Sequence, residues 1–414
     1  MYHLRVMSRG RKVAIVGQGY VGLPLAMSAV KAGFKVTGID VSKRIVEQLN
    51  QGRSHVEDVT DDELSRAIEF GLYGASNSGE AVSESDVCII CVPTPLSADG
   101  QPDLSFLESA VRLVAMHLKP NALLVSESTS YPGTVRDFVK PLVVSLRNDS
   151  GRELSFASAP ERVDPRNEKW GMTNTPRLVS GVDETSTKHA MDFYSAICDT
   201  VIEVSKPEVA EMAKLLENTF RQVNIALVNQ LVPFCKEIGI DIREVVDAAG
   251  SKPYGYMKFF PGAGVGGHCI PVDPLYLLWK AREVGVELPL VAKADELIEE
   301  CRSMSSLDDR LVEPPAGSCI AILGVAYKSG VSDIRESPAA QVAQSLELNG
   351  FQVVWFDPFV DVFYEYDKWT GELLCGAILV TAQQGLPIEI LQKSGVPILD
   401  CTGSLPKLPG FFHL

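Results

Sequence analysis

Short runs of β-branched and aliphatic residues alternate with stretches of helical period along most of the chain. The short β-branched run Lys12–Val16 (KVAIV) predicts a strand. Apolar residues then recur at helical spacing through Leu23, Leu25, Ala26 and Val30, and the run from Phe34 to Ile39 predicts a second strand. The same alternation returns with strands predicted at Asp86–Val92, Ala122–Ser126 and Phe156–Ala159. A long helical pattern runs from Pro207 to Ile238 through Met212, Leu215, Leu216, Phe220, Val223, Leu227 and Leu231, and Pro233 is expected to kink or interrupt it. A second helical region is predicted over 275–304, followed by a proline-rich linker, EPPAG, at 313–317. Beyond it the pattern of strand, helix and strand recurs at 318–323, 338–348 and 351–356, with further strands at 377–380 and 397–400. Strands alternating with helices in this way predict an α/β protein with parallel sheets.

Between the first strand and the first helix lies Gly17-Gln18-Gly19-Tyr20-Val21-Gly22, a GxGxxG turn, and the second strand ends at Asp40. Glycines permit a tight turn and a close approach of backbone to phosphate. The helix N-terminus attracts a pyrophosphate, and the acid accepts from a ribose hydroxyl. This context predicts a dinucleotide-binding Rossmann domain. Asp40 favours NAD, because a 2′-phosphate would meet its carboxylate, although Lys43 and Arg44 keep NADP open. Thr94, Ser128 and Thr129 follow predicted strands, where ligands bind in open α/β sheets, and each hydroxyl could equally cap a helix. The segment from 318 to 356 reads as a second βαβ unit without GxGxxG, and Lys328 and Arg335 in its strand-to-helix loop suit phosphates. The expected organisation is two Rossmann-like domains joined by a long central helix. The expected domains are an NAD-binding domain at 1–205, a central helical domain at 206–312 and a second Rossmann-like domain for a different ligand at 313–414.

Composition adds exclusions. Of 414 residues, 46% are hydrophobic and 22% charged, as in ordinary globular proteins. A net charge of −15 argues against a nucleic-acid partner, and no apolar run approaches the roughly 20 residues that cross a bilayer. The nine cysteines are scattered, which points to a reducing compartment and hence the cytoplasm. Cys88 and Cys91 have CxxC spacing but sit in a buried apolar run, and no second pair completes a zinc site, so no metal is expected.

The chemistry-bearing stretch is PGAGVGGHCIPVDP at 261–274. Its glycines leave amide groups free near Cys269, which would favour a nucleophilic thiolate, and Asp273 could manage a proton. On these residues alone, a glycine turn before a buried cysteine is the favoured reading. Lys214 and Asn218 share a helix face, which could also be a solvated one. Glu161 lies in a charged loop, PERVDPRN, after a strand.

Taken together the motifs resemble the nucleotide-sugar 6-dehydrogenases, within the UDP-glucose/GDP-mannose dehydrogenase superfamily. GQGYVGLPLA, CVPTPL, SESTSYPGT, APERVDPRN, KLLENTFRQVNIALVNQL, PGAGVGGHCIPVDP and LGVAYKSGVSDIRESPA occur in that order over nearly the whole chain. The resemblance implies oxidation of a sugar C6 alcohol to a carboxylate with two NAD, through a thiohemiacetal and a thioester on Cys269. It implies that Lys214 and Asn218 hold the developing oxyanion, that Asp273 with Thr129 handles protons or water, and that Glu161 is a base. Implied cofactor contacts are Gly17, Gly19, Tyr20, Val21, Gly22, Asp40, Arg44, Thr94, Thr129 and Arg335. Implied substrate contacts are Glu161, Arg162, Lys214, Asn218, Gly266 and Lys328. A UDP-sugar substrate, a homodimer on the central helices and an active site between the end domains are also implied. UDP-glucose enzymes typically carry Ser before the cysteine and a second glutamate in the Glu161 segment. His268 and PERVDP depart from both, and KPYGYMKFFPG at 252–262 is similar to the UDP-N-acetylglucosamine type. The competing readings are a two-electron hydroxyacid-type dehydrogenase and a non-catalytic NAD-binding protein.

Overall fold

The computed structural model describes residues 10–148, 153–164, 167, 169–267, 269–301, 317–371, 374–393 and 395–413. Most of the expected proline-rich linker, the helical region beyond Cys301 and His268 lie outside the described residues. The chain divides into two compact units, Met1–Leu216 and Glu217–Leu414.

In the first unit, β1 (Lys12–Val16), β2 (Lys35–Ile39), β3 (Tyr73–Ser76), β4 (Val87–Ile90), β5 (Leu123–Ser126), β6 (Ser155–Ser158), β7 (Arg177–Gly181) and β8 (Val201–Glu203) form one sheet. The order is β3-β2-β1-β4-β5-β6-β7-β8, parallel throughout except between β6 and β7. The apolar runs are explained by burial on both faces. Val13 and Ile15 pack with Phe34, Phe193 and Tyr194 on one side, and Ala14 and Val16 pack with Cys88, Ile90 and Phe156 on the other. The strand order reverses between β1 and β4, which opens the crevice where such sheets bind ligands. Cys88 sits inside β4, and burial pushes its thiol up to about 12, so it is an inert packing residue.

A buried ion pair closes the far side of this sheet. Glu127 follows β5, and its Oε2 accepts from Arg177 Nη1 of β7 at 3.0 Å, with side chains 0% and 3% exposed. Tyr194 donates to Glu127 Oε1 at 2.5 Å, and Arg177 also donates to the Ala159 carbonyl at 3.3 Å. Burial, then the nearby carboxylate, holds the Tyr194 hydroxyl far above its ordinary range, so it remains a donor.

The helix Pro207–Glu237 runs through the unit boundary. The expected interruption at Pro233 does not occur. Val228 and Cys235, with Val232, pack against Ile242 and Val246 of the next helix, Ile242–Ala249, and this packing holds the final turns. The predicted second helical region is two helices, Asp273–Glu283 and Pro289–Cys301. The break comes at Gly285 (φ +74°), where the Val286 N–H bonds back to the Ala281 carbonyl at 2.8 Å and ends the first helix. The second sheet comprises β9 (Cys319–Leu323), β10 (Gln352–Phe356), β11 (Asp367–Lys368), β12 (Gly376–Leu379), β13 (Ile398–Asp400) and β14 (Phe411–His413). It is all parallel, in the order β11-β10-β9-β12-β13-β14. Among the described residues no helix is long and apolar enough to cross a membrane.

Arg177→Met strands the Glu127 carboxylate in the core. Urea unfolding of the full chain is expected to show a loss of about 3–5 kcal/mol in the first unit, the usual cost of breaking a buried pair from one side.

Candidate active site

The turn after β1 is built for a phosphate. A Cβ on Gly22 would lie 1.8 Å from the Gly17 carbonyl oxygen, and one on Gly17 would lie 2.3 Å from that of Cys91, so both must be glycine. A Cβ on Gly19 would meet nothing within 4 Å, which marks the open side of the turn. The helix Gly22–Lys31 starts behind Val21, an apolar residue that offers its N-terminus no acceptor. Asp40, half-buried beyond β2, accepts from the Gln18 N–H at 3.0 Å and the Ser42 N–H at 2.9 Å. Each oxygen keeps acceptor capacity for a hydroxyl. These residues fit a dinucleotide, with pyrophosphate at the turn and ribose at Asp40. Arg44 is exposed in the first turn of the helix Lys43–Asn50, which Ser42 caps. Gln18, whose side chain carried no sequence signal, supports the turn from below. It is fully buried, donates to the Ile15 carbonyl at 2.8 Å and accepts from the Tyr73 hydroxyl at 2.8 Å.

The loops after β4, β5 and β6 carry the next group. Buried Thr94 donates to the Thr129 carbonyl at 2.6 Å, so two expected site residues are joined. Ser128 caps no helix. Its hydroxyl accepts from the Val92 N–H at 3.0 Å and donates to the Val92 carbonyl at 2.8 Å, stitching the two loops together. After β6, Glu161 accepts from the Val163 N–H, and Arg162 donates to the Pro176 carbonyl at 2.9 Å. A cleft of ≈ 320 Å³ reaches from Tyr20 to Glu161, walled by Met27, Lys31, Glu63 and Trp170. It runs along the flank of the helix Gly22–Lys31 and includes neither Thr94 nor Thr129.

Lys214 is buried, and Asn218 stands one turn further along the same helix face. In the second unit the Asn218 amide donates to Asp273 Oδ2 at 2.5 Å. Asp273, 2% exposed, opens the helix Asp273–Glu283, and its N–H bonds to the Cys269 carbonyl at 2.8 Å. Cys269 itself is exposed. The glycine loop before it is clamped at several points. Gly262 N–H donates to Asn229 Oδ1 at 3.1 Å, and Ala263 enters the core of the second sheet. A Cβ on Gly266 would lie 2.8 Å from Pro338 Cδ, and one on Gly267 would lie 2.8 Å from the Tyr327 ring. Arg243 holds the loop's start, donating to the Pro261 carbonyl at 2.8 Å and the Cys401 carbonyl at 3.0 Å.

Tyr327 belongs to the β9 loop that also carries Lys328 and Arg335, so Gly266 and this loop meet. Arg335 is forked onto Asp333 at 2.6 to 3.1 Å, and Glu336 beside it holds φ +50°, a strained value for a residue with a Cβ. Asp357 ends β10 as Asp40 ends β2, and it accepts from the Val325 and Ala326 N–H groups at 2.9 and 3.2 Å. Phe359 N–H and Gln383 Nε2 occupy it further, at 2.9 and 3.2 Å, and it is fully buried. This second turn therefore offers no ribose acceptor.

Three stretches match models of the UDP-glucose/GDP-mannose dehydrogenase family: its NAD binding domain at 11–198, its central domain at 208–299 and its UDP binding domain at 321–375. The chain is 35% identical over 355 residues to the UDP-N-acetyl-D-mannosamine dehydrogenase of Pyrococcus horikoshii, covering 84% of each. The solved structure of a UDP-D-ManNAc dehydrogenase from Pyrococcus horikoshii aligns with a TM-score of 0.87 at 30% identity, covering 97% of this chain and 98% of that one. A UDP-glucose dehydrogenase from Pyrobaculum islandicum aligns at 0.83 and 27% identity, covering 98% and 97%. The chain belongs to the UDP-glucose/GDP-mannose dehydrogenase family and is an NAD-dependent UDP-sugar dehydrogenase.

Proposed function

We propose that this enzyme oxidises the C6 alcohol of a UDP-N-acetylhexosamine to the carboxylate in two hydride-transfer steps. The observation that carries this reading is the arrangement at Cys269: an exposed thiol whose carbonyl is bonded by the Asp273 N–H, with the Asp273 carboxylate in turn held by Asn218. NAD at the Gly17–Gly22 turn supplies the hydride acceptor for each oxidation. Lys214 and Asn218 hold the C6 oxygen as charge develops. The second amide hydrogen of Asn218 is available for this while the first serves Asp273. Cys269 adds as thiolate to the aldehyde carbon and gives a thiohemiacetal. Its oxidation leaves a thioester, which water cleaves to carboxylate and free thiol. Asp273 and Thr129 manage the proton or the water, and Glu161 is the base for hydrolysis. Lys328 suits the diphosphate of the sugar nucleotide, Arg335 belongs with the NAD contacts, and Arg162 and Gly266 border the sugar nucleotide.

The configuration at C2 has two indications. The KPYGYMKFFPG stretch is similar to the glucosamine type, whereas the relatives above carry mannosamine and glucose names. The relatives favour UDP-N-acetylmannosamine. UDP-N-acetylglucosamine, UDP-N-acetylgalactosamine and UDP-glucose are the comparison substrates. The scattered free thiols support a cytoplasmic enzyme.

A homodimer is part of the same proposal. Leu216, Phe220, Leu227, Leu231, Phe234 and Ile238 are 36–59% exposed and fall on one face of the helix Pro207–Glu237 and its extension. A stripe of this length left in water marks a contact surface, and a self-complementary one gives a two-fold pair.

With the preferred sugar, two NADH per sugar are expected, measured at 340 nm against product. Release of one NADH would remove the thioester role of Cys269. Cys269→Ala is expected to stop the reaction before uronate forms, and Asn218→Ala to lower kcat by about 10²–10³-fold, the usual cost of an oxyanion donor. Phe234→Glu is expected to shift the species seen by light scattering from twice the chain mass to once. A wild-type monomer would sink the dimer assignment.

A further inference from the structure

The face of the helix Pro207–Glu237 that carries Lys214 and Asn218 also carries Glu211 and Gln222, at spacings of three, four and four residues. Glu211 is 5% exposed, and both of its carboxylate oxygens are bonded. Oε2 accepts from the Gly133 N–H at 2.6 Å, and Oε1 accepts from the Val135 N–H at 3.1 Å. Those donors open the short helix Thr134–Val139, entered through Gly133 at φ +104°. The same segment begins four residues earlier at Thr129, whose carbonyl takes the Thr94 hydroxyl. On the surface, Arg136 donates to Glu208 at 2.5 Å, one turn before Glu211. Two acids on the first turns of the long helix thus grip the segment that carries Thr129.

We infer that Glu211 is a positioning residue for the oxidation: its double bond to the 133–135 backbone fixes the long helix so that Lys214, one turn on, is held in register with the Thr129 segment. The inference rests on the role assigned above to Lys214. Two charge-assisted bonds to backbone N–H groups are directional, whereas apolar packing would let a helix slide or rotate. Burial raises the Glu211 carboxyl to about 7, with Glu208 and Asp137 adding repulsion against the two N–H donors. An uncharged core would be more favourable for folding alone, so a buried acid here is explained by placement. Glutamine at this position keeps the shape but offers one acceptor oxygen, and its amide nitrogen faces the other N–H.

The test is a double-mutant cycle on the full-length enzyme at pH 8.5, with NAD and the preferred UDP-sugar. Glu211→Gln is expected to lower kcat by about 10- to 100-fold, as displacement of a reacting group by up to an ångström does, with both KM values within about threefold. In a Lys214→Ala background the same change is expected to alter kcat by less than about threefold, because the group being placed is gone. An equal fold-loss in both backgrounds would overturn the inference, as would a loss that follows the melting temperature. Lys214→Ala retaining wild-type kcat would overturn the Lys214 assignment itself, and the inference with it. If Glu211→Gln does not fold, Arg136→Gln weakens the same grip from the surface. A drop of about two- to fivefold that vanishes without Lys214 supports the inference, and unchanged kcat overturns it.

Discussion

A carboxylate at the end of one parallel strand receives the N–H groups of the turn that follows its neighbour, and both units depend on that bond. Asp40 binds the Gln18 N–H beyond β1, and Asp357 binds the Val325 and Ala326 N–H groups beyond β9. Parallel strands end together, so the turn and the acid arrive side by side without any long-range adjustment. What differs is how much of the acid is left. Asp40 is half-buried with acceptor capacity to spare, whereas Gln383 and the Phe359 N–H use up Asp357. The two turns thus differ in the acceptor capacity they present, through the environment of a single side chain.

The long helix carries the polar groups assigned to the proposed oxidation. Its buried face has polar fixings either side of Lys214: Glu211 in the first unit, and in the second unit Asn218 on Asp273 and Gln222 on Asp295 at 2.9 Å. The opposite face is apolar and exposed. The glycine loop is fixed as tightly, with Gly266 and Gly267 admitting Tyr327 where any side chain would collide. Cys269, exposed, follows this closely packed stretch, and its own carbonyl is held by the Asp273 N–H.

The strands with unbroken aliphatic runs were legible because burial on both faces leaves no polar position, as β1, β4 and β5 illustrate. Short or half-exposed strands such as β8 and β11 carry no such pattern. The GxGxxG turn with its acid was readable because glycine and Asp40 are demanded locally. Gln18, Glu127, Arg177 and Glu211 were not. Each works through a partner between 50 and 78 residues away, and nothing in its own neighbourhood distinguishes it from a surface residue. Asp357 stood directly after an apolar run, as Asp40 does, and that parallel was the available signal. The break at Gly285 and the continuity through Pro233 both turned on packing, which overrules single-residue preference.

The reversal between β6 and β7 has an evolutionary meaning. Because β7 runs back along β6, the connection that carries Glu161 and Arg162 leaves and re-enters the sheet at the same end of the strands. Glu127 and Arg177 staple the point of return. A segment anchored at both ends in this way can be lengthened, shortened or rewritten without shifting a strand. Sequence change can therefore accumulate in that connection while the strands and the Gly17–Gly22 turn stay in place.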